Sequence, residues 1–230
     1  MAAEEVVHAA NEAVSTRGRF TIALSGGSTP KSLYNLLATN ARTTLPWDRM
    51  YFFWGDERHV PPDDPESNYR MVNEAMLSKV PVPPGNIFRL LAENPDANEV
   101  AAAYEQTLKR FFQLDAGGVP RFDLILLGMG PDGHTASLFP GTAGLKERSR
   151  LVIANWVEKL NTHRLSFTLP VLNAGREVAF LVSGTDKAAV LKAVLEGNDP
   201  GEQYPAKLVQ PKDGKLIWFL DRAAASGLAS

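Results

Sequence analysis

The chain of 230 residues contains no cysteine, which excludes disulfide bonds, thiolate nucleophiles and cysteine-ligated metal sites together. It also lacks an excess of either charge, because 24 basic residues are balanced by 26 acidic ones. A near-neutral chain is not typical of proteins that bind nucleic acids or anionic membranes. No apolar run approaches the roughly 18–20 residues of a membrane span. We therefore expect neither nucleic acid nor membrane as a partner.

Histidine is also scarce, with only His8, His59, His134 and His163 in the chain. No two of them have the spacing of a metal site, so we predict no bound metal. Residues 1–5 are acidic and helix-forming rather than basic and then apolar. We therefore expect no secretory signal and a cytoplasmic protein.

Apolar residues make up 44% of the sequence, enough for a full core in one domain over residues 1–230. Short β-rich runs alternate with helical patterns, which predicts an α/β fold. We expect a Rossmann-like, mostly parallel sheet with helices on both faces. The proline-rich residues 80–95 read as irregular and could mark the seam of a small subdomain. The predicted strands are 20–24, 50–54, 122–127, 151–154, 165–168, 178–182 and 216–220. The predicted helices are 2–16, one opening at Pro30, 67–79, 96–114 and 185–196.

Parallel sheets bind ligands beyond the carboxyl ends of their strands, so we expect the functional residues in the segments that follow the strands. The first is Ser25, Gly26, Gly27, Ser28 and Thr29, where a strand runs through glycines and hydroxyls into a helix. Backbone N–H groups at such a helix start can hold a phosphate. The pattern is equally that of a plain turn with Ser28 or Thr29 as the N-cap. It is not a Walker A loop, because the Gly-Lys-Ser/Thr sequence is missing.

A second junction repeats this pattern at residues 182–187, where Ser183 and Gly184 follow a strand and Lys187 lies in the first helical turn. A cation there is disfavoured by the helix dipole, so a nearby anion would explain it. A solvated surface lysine is the alternative. Two such junctions at one edge of a sheet favour a site in which both bind the same phosphate group.

A third segment places Asp56, Glu57, Arg58 and His59 directly after an aromatic strand. A carboxylate beside an arginine at the mouth of a cleft can orient a substrate or act as a base. The alternative is a surface loop whose charges pair among themselves.

The fourth segment, 128–137, contains Gly-x-Gly-x-x-Gly directly after a strand, a pattern that can bind a dinucleotide. Asp132 would lie where a pyrophosphate binds, the motif lies mid-chain, and no clear acidic residue ends the next strand. We prefer to interpret His134 as a general base whose tautomer is fixed by Asp132. The alternative is a histidine that caps its own turn. No Gly-x-Ser-x-Gly elbow is present, which argues against the serine nucleophile of an α/β-hydrolase.

Taken together, these segments resemble the bacterial type of 6-phosphogluconolactonase. The most telling forms are Gly-Asp-Glu-Arg at 55–58 and Asp-Gly-His-Thr-Ala-Ser at 132–137. The resemblance covers nearly the whole chain, through residues 24–30, 54–58, 67–69, 128–140 and 183–188 in that order. The wider superfamily, which includes glucosamine-6-phosphate deaminases, shares the first, fourth and fifth of these blocks.

The resemblance implies hydrolysis of 6-phospho-D-glucono-1,5-lactone to 6-phospho-D-gluconate, in the oxidative pentose phosphate pathway and without a cofactor. It implies that His134 activates water, that Asp132 and Asp56 orient it or the substrate hydroxyls, and that Arg58 faces the substrate. The partner is then a small sugar-phosphate lactone, and the protein a monomer or homodimer.

By the same resemblance, the loop 25–29 and Lys187 hold the phosphate, and Arg164 is a weaker candidate for a phosphate or substrate contact. Family members usually carry a strand and a loop before the first helix, whereas this chain begins almost inside that helix. The departure bears on the edge of the sheet rather than on the site.

Three alternatives stay open from the sequence. The first is a sugar-phosphate isomerase or deaminase on the same scaffold. The second is a sugar-phosphate sensor, although the chain has no basic patch for a DNA-binding part. The third is an NADP-binding module that uses Gly128–Gly133.

Overall fold

The structure is a computed structural model that describes residues 1–229. Its strands are β1 (Phe20–Leu24), β2 (Met50–Trp54), β3 (Asp56–Arg58), β4 (Ile87–Phe88), β5 (Leu124–Leu127), β6 (Val152–Val157), β7 (Thr162–Phe167), β8 (Glu177–Val182) and β9 (Lys215–Leu220). Its α-helices are α1 (Ala2–Arg17), α2 (Ser28–Thr39), α3 (Asn68–Ala75), α4 (Ala97–Phe112), α5 (Leu169–Leu172) and α6 (Ala188–Glu196).

A six-stranded sheet forms the centre of the fold, in the order β4-β2-β1-β5-β8-β9. Every neighbouring pair in it is parallel, which confirms the predicted α/β architecture. Within this sheet the chain starts at β1 in the middle, runs outward through β2 to β4, and then returns to β5 to build the other half. This is the strand order of the Rossmann fold, and its switch point lies between β1 and β5. A crevice at the carboxyl ends of these two strands is the expected ligand site.

A second, three-stranded antiparallel sheet lies beyond the carboxyl edge of the first, in the order β3-β7-β6. The interpretation of Asp56–Arg58 as a loop was wrong, because these residues pair with 164–166 of β7. The segments predicted as strands over 151–154 and 165–168 belong to the hairpin that β6 and β7 form, rather than to the parallel sheet. Residues 80–95, read as irregular, contain β4, which extends the main sheet beyond β2.

Several helix ends differ from the prediction by a few residues. Helix α2 begins at Ser28, two residues before the proline that was expected to open it. Helix α3 ends at Ala75 and is followed by a separate 3₁₀ turn over Leu77–Lys79. Helix α4 begins where expected, because the Asp96 carboxylate accepts hydrogen bonds from two first-turn N–H groups.

The core lies on both faces of the parallel sheet, and all five residues of β1 are buried. Two buried tyrosines fix the strand ends next to the crevice. The Tyr34 hydroxyl donates to Ser25 O at 2.9 Å, and the Tyr104 hydroxyl accepts from Trp54 N at 2.9 Å. These contacts bind α2 and α4 to the carboxyl ends of β1 and β2. Within residues 1–229, no helix is long and apolar enough to cross a membrane.

Candidate active site

A cavity of about 530 Å³ opens at the carboxyl edge of the parallel sheet, over the switch point between β1 and β5. All the side chains and glycines that the sequence nominated for the site lie in its wall. They are Ser25, Gly26, Gly27, Ser28, Thr29, Asp56, Arg58, Asp132, His134, Arg164 and Lys187. The four segments that follow strands therefore meet at one place, as their positions predicted, and Arg164 joins them from β7.

At the turn from β1 into α2, no side chain among the described residues 1–229 caps the helix N-terminus. The N-cap is Gly27, whose φ of +106° is one that residues with a Cβ rarely adopt. The prediction that Ser28 or Thr29 is the N-cap was therefore wrong. In the part of the chain that the structure describes, the buried Ser25 hydroxyl has no hydrogen-bond partner. Backbone N–H groups and hydroxyls of this turn thus remain available to an anion.

The second junction meets the first directly, because Thr29 Oγ1 and Ser183 Oγ are 2.6 Å apart. Lys187 lies in the 3₁₀ turn before α6, and its side chain is only 19% exposed. The solvated-lysine interpretation was therefore wrong. Lys187 Nζ also contacts the exposed Asp186 carboxylate at 2.6 Å. The hydrogen bond and charge of Lys187 lower the pKa of Asp186.

Asp56 and Arg58 project toward the cavity from β3, and neither has an ion-pair partner within 4.0 Å among residues 1–229. The alternative of charges that pair among themselves was thus wrong. The Asp56 carboxylate is buried and accepts a hydrogen bond from Ser137 Oγ at 2.8 Å. One guanidinium N–H of Arg58 donates to the backbone oxygen of Glu66 at 2.7 Å. The remaining donors of Arg58 are left for the cavity.

Glu57, between them, has a structural task instead. Its carboxylate accepts from the N–H groups of Asn68 at 2.7 Å and Tyr69 at 2.8 Å, in the first turn of α3. Burial raises the pKa of Glu57, although these backbone hydrogen bonds act in the opposite direction. Glu57 therefore binds α3 to β3 and fixes the two neighbours that face the cavity.

Arg164 lies on β7 directly opposite Arg58 of β3. Burial, and secondarily the charge of Arg58, lower the pKa of Arg164. No carboxylate oxygen among the described residues lies within 4.0 Å of its guanidinium. Two neighbouring arginines that have no ion-pair partner among residues 1–229 can together bind an anion.

His134 is held by Asp132 on the loop after β5. His134 Nδ1 and Asp132 Oδ1 are 2.5 Å apart, and the His134 N–H also donates to this oxygen at 3.2 Å. Burial raises the pKa of Asp132, but hydrogen bonds from Lys159 and His134 outweigh it and lower the pKa to about 2. An ionised carboxylate can only accept, so Nδ1 carries a proton, and the neutral form of the ring has its lone pair on Nε2. A Cβ at Gly130 would collide with the His134 ring, so this contact requires glycine there.

Three residues that complete the site were not nominated from the sequence. Asn68 donates to Asp56 O at 3.1 Å and lies so close to Gly26 that a Cβ there would overlap its amide. Phe139 stacks on the His134 ring with centroids 4.1 Å apart. Asn68 and Phe139 fall in motifs that carried the resemblance. Lys159, which forms an ion pair with Asp132, lies in a segment with no such signal.

No group of three or more acidic or histidine side chains that could hold a metal ion occurs among residues 1–229. The arrangement instead combines one oriented imidazole, one buried carboxylate and an anion-binding wall. Such a site can move a proton to or from a bound phosphorylated molecule.

Known proteins resemble this chain over nearly its whole length. A 6-phosphogluconolactonase from Synechocystis sp. is 46% identical over 217 residues, which cover 94% of this chain and 88% of that one. The structure of 6-phosphogluconolactonase from Trypanosoma cruzi is 31% identical, with a TM-score of 0.88 over 100% of this chain and 92% of that one. A monomeric glucosamine-6-phosphate deaminase shares the fold at a TM-score of 0.77, with 23% identity over 99% of this chain and 94% of that one. A sequence model described as glucosamine-6-phosphate isomerases/6-phosphogluconolactonase matches residues 1–218, and the chain belongs to that family.

Proposed function

We propose that this protein is a 6-phosphogluconolactonase, which hydrolyses 6-phospho-D-glucono-1,5-lactone to 6-phospho-D-gluconate. The observation that carries the proposal is the His134–Asp132 pair. It shares its cavity wall with the N-terminus of α2 and with two arginines that form no ion pair in the part of the chain that the structure describes. The wall can bind a phosphate, and the pair can take a proton from water. Relatives with this name cover nearly the whole chain.

The phosphate binds where β1 and β8 run into their helices. Backbone N–H groups of Ser28 and Thr29, the Ser25 hydroxyl and the Lys187 ammonium supply donors around it. Arg164 approaches from the second sheet. These groups bind the substrate and the transition state alike, so they act on KM more than on kcat.

The lactone carbonyl lies on the His134 side of the cavity. His134 Nε2 removes a proton from a water molecule while the water oxygen forms a bond to the carbonyl carbon. The π electrons of the carbonyl bond move onto its oxygen, and Arg58 of β3 stabilises the resulting oxyanion. Asp56, held by Ser137, orients substrate hydroxyls or the water.

The tetrahedral intermediate collapses when the bond between the carbonyl carbon and the ring oxygen breaks. The imidazolium of His134 returns its proton to that ring oxygen, which becomes the hydroxyl of the open-chain acid. Asp132 stays ionised and stabilises the imidazolium while it exists. No covalent bond between the substrate and the enzyme is needed, since water attacks the ester directly.

The proposal places the protein in the oxidative pentose phosphate pathway, in the cytoplasm, as a monomer or homodimer with no nucleic-acid or membrane partner. Cell fractionation and light scattering of the purified protein test the location and the assembly. A higher oligomer or a membrane-bound pool would contradict this part of the proposal.

The direct test is lactone hydrolysis with substrate made in situ by glucose-6-phosphate dehydrogenase. The product is coupled to 6-phosphogluconate dehydrogenase, and NADPH formation is compared with and without the protein. We expect acceleration above spontaneous hydrolysis. The unphosphorylated lactone, whose hydrolysis is followed by acid release, should be accelerated little, because the phosphate wall is then unused.

The matched control is His134→Gln, which keeps the size of the side chain but cannot accept the proton. A folded wild-type protein that does not accelerate hydrolysis would refute the proposal. Release of ammonia from glucosamine 6-phosphate would then assign the deaminase reaction instead.

A further inference from the structure

The β6–β7 hairpin reaches over the loop that carries the proposed base. Its strands are joined by a 3₁₀ turn over Glu158–Leu160, and Lys159 is at the centre of that turn. Lys159 Nζ contacts Asp132 Oδ2, while Asp132 Oδ1 contacts His134 Nδ1. One carboxylate thus joins an ammonium and an imidazole through its two oxygens.

Phe139 adds a second connection between the same groups. Lys159 Nζ lies 4.6 Å from the centroid of the Phe139 ring, and His134 stacks on that ring. A cation over an aromatic ring is attracted by its quadrupole. Lys159 is therefore placed by two different partners, unlike an ordinary surface lysine, although its side chain is 53% exposed.

We propose that Lys159 is a positioning residue for the lactonase reaction, which holds Asp132 and opposes protonation of His134, so that the imidazole can accept a proton from water. The inference rests on the proposed function, since it concerns the base of that reaction. Asp132 alone favours the imidazolium, which cannot act as a base. An ammonium on the other oxygen of the same carboxylate offsets that effect.

The other charges around the ring do not replace Lys159. Without it, the ionisable side chains in the cavity wall balance, with three carboxylates and three cations. Lys159 gives the wall its excess positive charge. The charged groups in question are Asp56, Asp132 and Asp186 on one side, and Arg58, Arg164 and Lys187 on the other.

The same hairpin also carries Arg164, on β7. A substrate phosphate bound by Arg164 would therefore hold the segment that positions the base. Binding of the phosphate and orientation of His134 are in this way connected through one element of the fold.

The test compares Lys159→Met, Lys159→Arg and the wild type by kcat/KM against pH. Removal of the charge should move the acid limb of the profile to higher pH by about half to one pH unit. Lys159→Arg should keep the acid limb near its wild-type pH, because arginine keeps a cation at the turn. Lys192→Met is the matched control, since Lys192 is 51% exposed, pairs with Glu196 and is not part of the cavity wall.

A second readout does not need activity. It is an NMR titration of protein labelled at histidine, in which the His134 ring resonances are assigned by their absence in His134→Gln. The chemical shifts of these resonances should titrate at a higher pH in Lys159→Met than in the wild type. Coincident titrations, or an unshifted acid limb whatever the change in kcat, would overturn the inference. Failure of the wild type to hydrolyse the lactone would instead refute the proposed function. The titration would still show whether Lys159 opposes protonation of His134.

Discussion

Clusters of charged side chains lie at both edges of the parallel sheet, and they differ in how far the charges satisfy one another. At the amino edge, Asp123 is buried before β5 and accepts hydrogen bonds from Thr21 N and Thr21 Oγ1, both at 2.8 Å. Arg17 Nε lies 2.9 Å and Arg176 Nε 3.5 Å from the other Asp123 oxygen. The carboxylate is thus saturated by its own fold.

At the carboxyl edge the same kinds of group are left open. Arg164 has no carboxylate within 4.0 Å, and Ser25 Oγ has no hydrogen-bond partner, among residues 1–229. Burying polar groups without partners destabilises a protein, so such groups persist where a ligand completes them. The difference indicates that charge at the amino edge stabilises the fold, whereas charge at the carboxyl edge serves binding and chemistry.

The largest expected effect is the loss of turnover in His134→Gln. Removal of a general base lowers kcat by about 10²–10⁴-fold, while the phosphate wall and therefore KM stay nearly unchanged. Steady-state kinetics of lactone hydrolysis measures both. A variant with nearly normal kcat would show that His134 is not the base.

Asp123→Ala should give the next largest effect, on stability instead of activity. It leaves Arg17 and Arg176 without their carboxylate and the Thr21 N–H without an acceptor. We expect the free energy of unfolding to fall by about 2–3 kcal/mol, with lactone kinetics preserved. Urea unfolding measures this, and Asp48→Ala, which removes an exposed pair with Arg49, is the control. Normal stability together with lost activity would contradict the distinction between the edges.

Arg164→Gln and Arg17→Gln compare the two edges with the same substitution. Arg164→Gln should raise KM by about 10–100-fold, because a charged hydrogen bond to the substrate is lost. Its stability should be unchanged or slightly higher, since a partly desolvated arginine beside Arg58 is removed. Arg17→Gln should leave KM alone and lower the stability. Equal effects of the two variants on KM would remove the basis of the comparison.

The sequence predicts the parts of this site that depend on local pattern. A strand followed at once by glycines predicted the turns at 25–29 and 128–133, and the parallel sheet then placed them at one edge. What it could not predict depends on contacts between distant segments. Lys159 reaches Asp132 across 27 positions, and nothing in its neighbours distinguishes it from a solvated lysine.

The short strand β3 shows the same limit. Its three charged residues have no strand pattern, and they form a strand only because β7, about a hundred positions later, offers an edge. Within it, Asp56 and Glu57 are equivalent in the sequence. The alternation of side chains along β3 directs one to the cavity and the other to the N-terminus of α3.

The smallest predicted effect concerns a weakly paired carboxylate at the amino edge, where Glu177 Oε2 lies 3.8 Å from Lys215 Nζ. Glu177, at the start of β8, buries one carboxylate oxygen that has no hydrogen-bond partner in the described part of the chain. Burial, followed by the nearby charge of Glu5, raises the pKa of Glu177 to about 7. A carboxyl whose pKa is higher in the folded protein contributes stability below its ordinary value of 4.5, and this contribution is lost as the pH rises through 7.

Glu177→Gln removes that titration and keeps the shape of the side chain. Its free energy of unfolding should therefore exceed that of the wild type by an amount that grows by about 1–2 kcal/mol between pH 5 and pH 8. Urea unfolding at a series of pH values, followed by tryptophan fluorescence, measures the difference, with exposed Glu202→Gln as the control. Curves for Glu177→Gln and the wild type that stay parallel across this range would mean that Glu177 is already ionised and satisfied in the folded protein. The amino edge would then hold no unsatisfied charge, and the contrast with the carboxyl edge would be complete. A growing difference would instead show that a carboxyl with one unsatisfied oxygen persists there at the expense of stability, in a place where no ligand is required.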